Sequence, residues 1–194
     1  MAGRPRGFDE QEVLNRAMTV FWQKGFDATG IAELESATGL GRQSLYGAFG
    51  DKRALFSKVV EHYFEQVVGP GLVAVLDAPG SARANLERVF TSWEETALAR
   101  EFNGCLVGNS VSELGLRDPE IAGVLQRKLE LMEEALCRTV RRAQAEGEAN
   151  AKLDARATAR ALLTTAQGLA VVVRVSRDRA FVQNVISVAR QLLD

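Results

Sequence analysis

The sequence predicts an all-α protein in two parts, a small N-terminal helix-turn-helix unit and a larger helical body. Three observations predict it. Apolar residues recur at steps of three and four along nearly every segment, the spacing of one buried helix face. The segments open at Asp or Ser and several close at Gly, as helix termini do. Only Leu169 to Val175 is β-branched enough to suggest a strand, and it continues an Ala-rich helical pattern without a turn signal, so it reads as a buried helix end.

The first helix is expected from Asp9 to Lys24, with Val13, Ala17, Val20 and Phe21 on one face. Asp9, Glu10 and Glu12 occupy its first turn, where carboxylates favour the helix dipole, and Gly25 supplies a stop. A short second helix, Ile31 to Thr38, ends at Gly39, a residue free to take positive φ. After Gly39-Leu40-Gly41 a third begins at Arg42 and runs to about Ala48. Asp51 reads as the N-cap of a fourth, which carries Leu55, Phe56, Val59 and Tyr63. Two short helices joined by a Gly turn and braced on both sides form a helix-turn-helix layout. Residues 1–60 are therefore expected to be one unit and 61–194 another.

Gly69-Pro70-Gly71 and Asp77-Ala78-Pro79-Gly80 read as breakers around a short apolar piece, Leu72 to Leu76, that extends or caps the fourth helix. Ser81 caps a helix with Leu86, Val89, Phe90, Trp93 and Ala97 inward, and another follows Gly104 from about Cys105 to Leu114. Asp118-Pro119 opens the longest helix, with Pro at its first position. Its stripe of Ile121, Leu125, Leu129, Met132, Leu136, Val140 and Ala143 runs to an end at Gly147 and Asn150. Asp154 caps the next, which carries Ala159, Leu162, Ala166, Leu169 and Val173. The last opens at Asp178 and carries Phe181, Val185, Val188 and Leu192.

Composition narrows the function classes. With 46% hydrophobic and 25% charged residues the chain is globular rather than disordered. A net charge of −1 excludes a polybasic molecule, and the first 60 residues are only slightly more basic than the rest, at +1 against −2. The placement of the charges has to carry any anion-binding argument. Cys105 and Cys137 lie far apart without CxxC spacing, which argues against a disulfide framework or a zinc site and suits a reducing cytosol. The polar start and the lack of a ~20-residue apolar run lead to the expectation of a soluble, cytoplasmic protein.

Catalysis finds little support. His62 is the one histidine, and a solvated or capping role is expected for it. Gly39-Leu40-Gly41-Arg42-Gln43-Ser44 starts like a dinucleotide fingerprint but lacks the third Gly and any preceding strand. No carboxylate–histidine cluster suggests a metal. The expectation is a protein that is no enzyme and uses no cofactor or metal.

The chemistry of the third helix points elsewhere. Arg42 and Gln43 stand at its N-terminal end, where side chains reach base edges. Arg can chelate guanine and Gln can pair with adenine, each good pair giving ~1–3 kcal/mol of discrimination. Ser44 and Tyr46 offer hydroxyls to phosphates, which position without specifying. Lys52 and the free amides at the start of the fourth helix make an anion site. Leu45, Phe49, Leu55 and Phe56 are core.

The run from Gly25 to Phe56 is distributed as Gly25-Phe26-x-x-Thr29, the Gly39-Leu40 turn, and Leu45-Tyr46-x-x-Phe49-x-x-Lys52-x-x-Leu55. In this it resembles the tetracycline-repressor (TetR) family over roughly the first third of the chain. The resemblance implies a homodimeric transcriptional regulator, a repressor that binds double-stranded palindromic operator DNA and is released by a small-molecule effector or by cysteine modification. It implies phosphate contacts from Thr29, Tyr46 and Lys52, and a basic arm in Arg4 and Arg6. Two positions depart from the pattern. Gly30 stands where a second Ser/Thr is usual, and Gln43 replaces a commonly small residue.

For the C-terminal part, the resemblance implies a ligand pocket between the middle helices. Phe90, Trp93, Phe102, Cys105, Met132 and Leu136 are its candidate walls, with Asn109 or Gln167 as polar anchors. Ordinary core is the simpler reading of any one of them. Asn103-Gly104-Cys105-Leu106-Val107-Gly108-Asn109 resembles a branch in which a comparable cysteine near a helix N-terminus senses electrophiles or oxidants; the alternative is a small buried hydrophobe. A two-fold reader of DNA needs a dimer interface, and the last two helices, with Ala161, Ala166, Gly168, Ala170 and Ala189, are its candidates. Three rivals stay open: an activator of the same fold, a protein–protein adaptor with a degenerate helix-turn-helix, and a small-molecule carrier or enzyme.

Overall fold

The computed structural model describes residues 8–194, and the described residues form helices and no strand. Arg4 and Arg6 lie outside them. Helix α1 (Glu10–Lys24) is capped by Asp9, whose carboxylate accepts the Gln11 amide at 2.9 Å. α2 (Ile31–Thr38) and α3 (Arg42–Phe49) follow, and α4 (Lys52–Tyr63) starts at Asp51, which accepts the Ala54 amide at 2.8 Å.

These four close around one aromatic cluster. Phe56 meets Phe21 edge-on at 5.0 Å and Phe26 at 5.1 Å, while Leu34 of α2 and Leu45 of α3 complete the core with no exposed surface. Such pairs contribute ~0.5–1.5 kcal/mol beyond their buried area. The cluster sets the orientation of α3 against α1 and α4.

The first predicted break does not occur. α4 runs on through a π-helical segment, Phe64–Val73, with Pro70 inside it, into α5 (Ala74–Leu76). Proline cannot donate a backbone hydrogen bond, and its ring crowds the turn before it. Widening the ladder relieves both problems, as in the bond from the Ala74 amide to Gly69 O, five residues back. The chain breaks instead at the second Gly/Pro group, where buried Asn85 donates to Leu76 O at 3.1 Å and Ala78 O at 2.6 Å.

α6 (Ala82–Leu98), α7 (Leu106–Leu114), α8 (Pro119–Ala145), α9 (Ala155–Val172) and α10 (Arg179–Gln191) build the larger part. Ser81, Asp118, Asp154 and Asp178 cap α6, α8, α9 and α10, as their positions in the sequence predict. α8 is the centre of the body: α9 lies along it, and α6 packs between α8 and α10.

The C-terminal helices depart from the sequence expectation at two points. Leu169–Val175 is helical to Val172 but is not a buried end. Leu169, Ala170 and Val173 face inward, whereas Val171 and Val172 are 44% and 43% exposed and Val175 is 93% exposed. In α10 the buried face is Val182, Ile186 and Ala189, continued by Leu193 beyond the helix, one residue on from the stripe read in the sequence; Phe181 and Val188 point to solvent. The helix is apolar on two faces, and adjacent residues differ by about 100° around the axis, so periodicity finds both stripes without saying which is inside.

Candidate nucleic-acid interface and body cavity

The turn between α2 and α3 is built from backbone and one carboxylate. Gly39 sits in the left-handed region at φ 72° and returns its amide to Glu35 O at 2.9 Å. Gly41, the residue before α3, has no side chain with which to cap it. Glu35 takes that role from α2, its Oε1 accepting the Arg42 amide at 2.5 Å. Nothing in the local sequence marks Glu35 as a cap, because it stands seven residues from its donor.

With α3 so fixed, Arg42, Gln43 and Ser44 are all exposed on its first turn, and Leu45 and Phe49 anchor its other face. Tyr46 is half-buried, one turn on, with the Arg42 guanidinium 5.6 Å from its ring centre. Lys52 opens α4 and lies 4.4 Å from the centre of the Phe26 ring. These residues share the outer side of one small unit.

Thr29 does not join them. It has no exposed surface, and its hydroxyl donates to Gly25 O at 2.6 Å. Its geometry is that of a side chain shaping the α1–α2 turn, because a buried hydroxyl offers nothing to a phosphate outside. Gly30 remains capped from the other direction, its amide donating to Glu33 at 3.0 Å. The ion pair with Lys24 and the Gly30 amide together hold the Glu33 carboxyl below its ordinary range.

The body holds a half-open cavity of about 250 Å³ between α1, the α4 rod, α6, α8 and α9. Of the residues predicted for a pocket, Trp93, Phe102, Cys105, Met132 and Gln167 line it. Phe90, Leu136 and Asn109 do not. Phe90 is fully buried behind Trp93, ring centres 5.7 Å apart, and Leu136 is fully buried core on α8. Asn109 faces a separate cleft against α1 and donates to Asn103 O at 2.8 Å. Helical spacing places residues on a face; it does not say which of that face's neighbours leave space.

Among the wall residues absent from the sequence prediction are Trp22 and Tyr63. Their rings meet edge-on at 5.1 Å, the Trp22 indole donates to Gly104 O at 2.9 Å, and the Tyr63 hydroxyl lies 3.8 Å from Cys105 Sγ. Burial, and secondarily the neighbouring Cys105, push the Tyr63 hydroxyl well above its ordinary pKa, so it stays protonated as a donor. Gly104 permits this approach: at φ 82° it is left-handed, and a Cβ there would stand 3.0 Å from Ala170 O. Cys105 is half-buried at the N-cap of α7, and Cys137 is fully buried.

The two parts are tied together at several points. The Glu113 carboxylate of α7 accepts the amides of Phe26 at 2.9 Å and Asp27 at 2.7 Å, and Arg117 pairs with Asp27 at 2.5 Å. Arg53 pairs with the nearly buried Asp118 at 2.7 Å, so it is more than a solvated charge. Lys128 of α8 is buried against Glu61 and the Phe64 ring. His62 is also buried, contrary to expectation, with Nε2 2.7 Å from Asn15 Oδ1, where it fastens α4 to α1.

Comparison with known proteins bears on both regions. Residues 13–59 match the family model described as "Bacterial regulatory proteins, tetR family". Residues 82–189 match "Tetracyclin repressor-like, C-terminal domain". The chain is 32% identical to the uncharacterized HTH-type transcriptional regulator YezE of Bacillus subtilis (strain 168), over 99% of this chain and 100% of that one. It is 28% identical to the HTH-type transcriptional repressor ComR of Escherichia coli (strain K12), over 89% of this chain and 82% of that one. Among solved structures, a cysteine mutant of the TetR family regulator CifR, complexed with 26-bp double-strand operator DNA, is similar at TM-score 0.86 and 29% identity, covering 99% of this chain and 100% of that one.

Proposed function

The chain belongs to the TetR family of bacterial transcriptional regulators, and from that premise we propose that it is a homodimeric repressor whose α3 helices read a palindromic operator. The observation that carries this is the exposed Arg42–Gln43–Ser44 turn, held out by a fully packed core behind it. Arg42 and Gln43 face base edges, and Ser44, Tyr46 and Lys52 take phosphates. Arg4 and Arg6 act as a basic arm. The role contains no catalytic step, and a cytoplasmic location follows from access to DNA; no helix of the described residues is long and apolar enough to cross a membrane.

Dimerisation uses α9 and α10. Val171, Val172, Val175, Phe181 and Val188 expose an apolar face beside Gly168, which suits close, isologous packing against a second copy. The units divide near residue 60, inside the continuous α4 rod, so a shift of that rod moves the reading head. An effector in the cavity prefers the released arrangement, and the two α3 helices then no longer fit successive major grooves. Alkylation of Cys105 by a small electrophile has the same effect, since the sulfur lies in the cavity wall beside Tyr63. Unchanged operator affinity after stoichiometric alkylation of Cys105 would remove that branch.

The test is selection of DNA from a random pool at two salt concentrations. A palindrome whose binding weakens with salt is expected. Arg42→Ala should relax one base position per half-site, by ~1–3 kcal/mol, and Tyr46→Phe should weaken all sequences alike. A folded dimer that enriches no sequence would instead favour an adaptor or carrier.

A further inference from the structure

The cavity in the body carries no charge. Every side chain in its wall is apolar or neutral-polar, from Leu72 and Met132 to Ser92 and Thr96. An ion moved there from water meets no counter-charge, and an uncompensated buried ion is strongly disfavoured.

One polar group in the wall is short of partners. The Gln167 amide reaches only the weak acceptor Met132 Sδ, at 3.9 Å from Nε2, while its other end packs without a hydrogen bond against Gly108 of α7. Interchanging the amide's N and O changes which end lacks a partner, not that one does. Such a group forfeits hydrogen bonding that water once gave it, and a guest with a single polar end restores it. The space is also small for a ligand site, about 250 Å³, which suits a compact guest.

We infer that the effector is a compact, electrically neutral and mainly apolar molecule with one hydrogen-bonding end, which seats against the Gln167 amide with its body among Trp93, Phe102 and Met132. The inference rests on the assignment of this cavity as the effector site. It deepens that assignment by naming the ligand's chemistry.

Four probes of matched size test it on the full-length dimer: benzyl alcohol, toluene, benzoate and benzylammonium. Trp22 and Trp93, the chain's two tryptophans, both line the cavity, so intrinsic fluorescence reports occupancy. Benzyl alcohol is expected to bind with a Kd on the order of 1 mM, appropriate to its size. Toluene should bind roughly threefold to tenfold more weakly for want of the hydrogen bond. Both ions should be weaker by at least about thirtyfold. Gln167→Leu should abolish the advantage of the alcohol over toluene, and Gln167→Glu should draw in benzylammonium. Ala166→Phe, with its fold checked by circular dichroism and thermal unfolding, fills the cavity and should abolish binding of every probe.

The failures are separable. Tight binding of benzoate or benzylammonium to the unaltered protein, blocked by Ala166→Phe, overturns the neutral class and leaves the cavity as the effector site. Alcohol binding that survives Ala166→Phe, or no binding of any probe, overturns the cavity assignment and the inference with it.

Discussion

The reading head and the cavity are both lined with aromatic rings, and they use them in opposite ways. In the head, Phe21, Phe26 and Phe56 meet one another in pairs, with Phe21 and Phe56 fully buried. Around the cavity, Trp22 and Tyr63 meet edge-on at 5.1 Å, but the wall they share with Trp93 and Phe102 is interleaved with Gly71, Ala97, Gly104, Ala166 and Ala170. Small residues between large ones prevent closure. The head thus has one tight arrangement, which suits a surface that must present Arg42 and Gln43 at fixed positions. The cavity keeps room and an unpaired amide, which suits a surface that must respond. The two meet at the Trp22–Tyr63 contact, so a guest in the cavity touches the head directly.

The largest effects should fall on the packed side. Phe56→Ala should cost about 3–5 kcal/mol and abolish operator binding, whereas Phe102→Leu in the cavity wall should cost under about 1.5 kcal/mol. Urea unfolding of both variants checks this, and equal losses would break the contrast. The next effect concerns the joint between the regions. Glu113→Ala removes a carboxylate acceptor from two backbone amides of the head, for an expected loss of about 1–2 kcal/mol given its partial exposure. The ratio of operator affinities with and without effector should also shrink. An unchanged ratio would show that Glu113 holds the head without transmitting anything to it.

The smallest effect sharpens the comparison at the head's edge. The Glu33 carboxyl is held below its ordinary value of 4.5 by Lys24 and the Gly30 amide. Its contribution is therefore fully present above the unfolded pKa and is lost as pH falls through the lower, folded value. Because Glu33 is exposed, the change should be slight. Thermal unfolding of the native protein and of Glu33→Gln, followed from neutral pH down through the carboxylate range, should show a shallower decline in the variant.

Local chemistry made much of this legible. Asp9, Asp51, Ser81, Asp118, Asp154 and Asp178 announce helix starts in the sequence, and each is an N-cap in the structure. α2 has the limits read from its apolar spacing and its Gly stop. Where sequence and structure differ, the difference lies in what meets across the fold. Pro70 reads as a breaker, yet the helix widens around it and Leu72–Leu76 extends it as expected; the buried α10 face lies one residue on from the stripe in the sequence, and the cavity wall passes Phe90, Asn109 and Leu136 by.

The sequence by itself determined the helices, their caps and the exposed turn of α3, because these depend on residues within a few positions of one another. Only the tertiary structure decided where space remains. Trp22 meets Gly104 across 82 residues, and Glu113 meets Phe26 across 87. Which of two apolar faces turns inward, and which aromatic rings border open space, depends on what the rest of the chain brings against them.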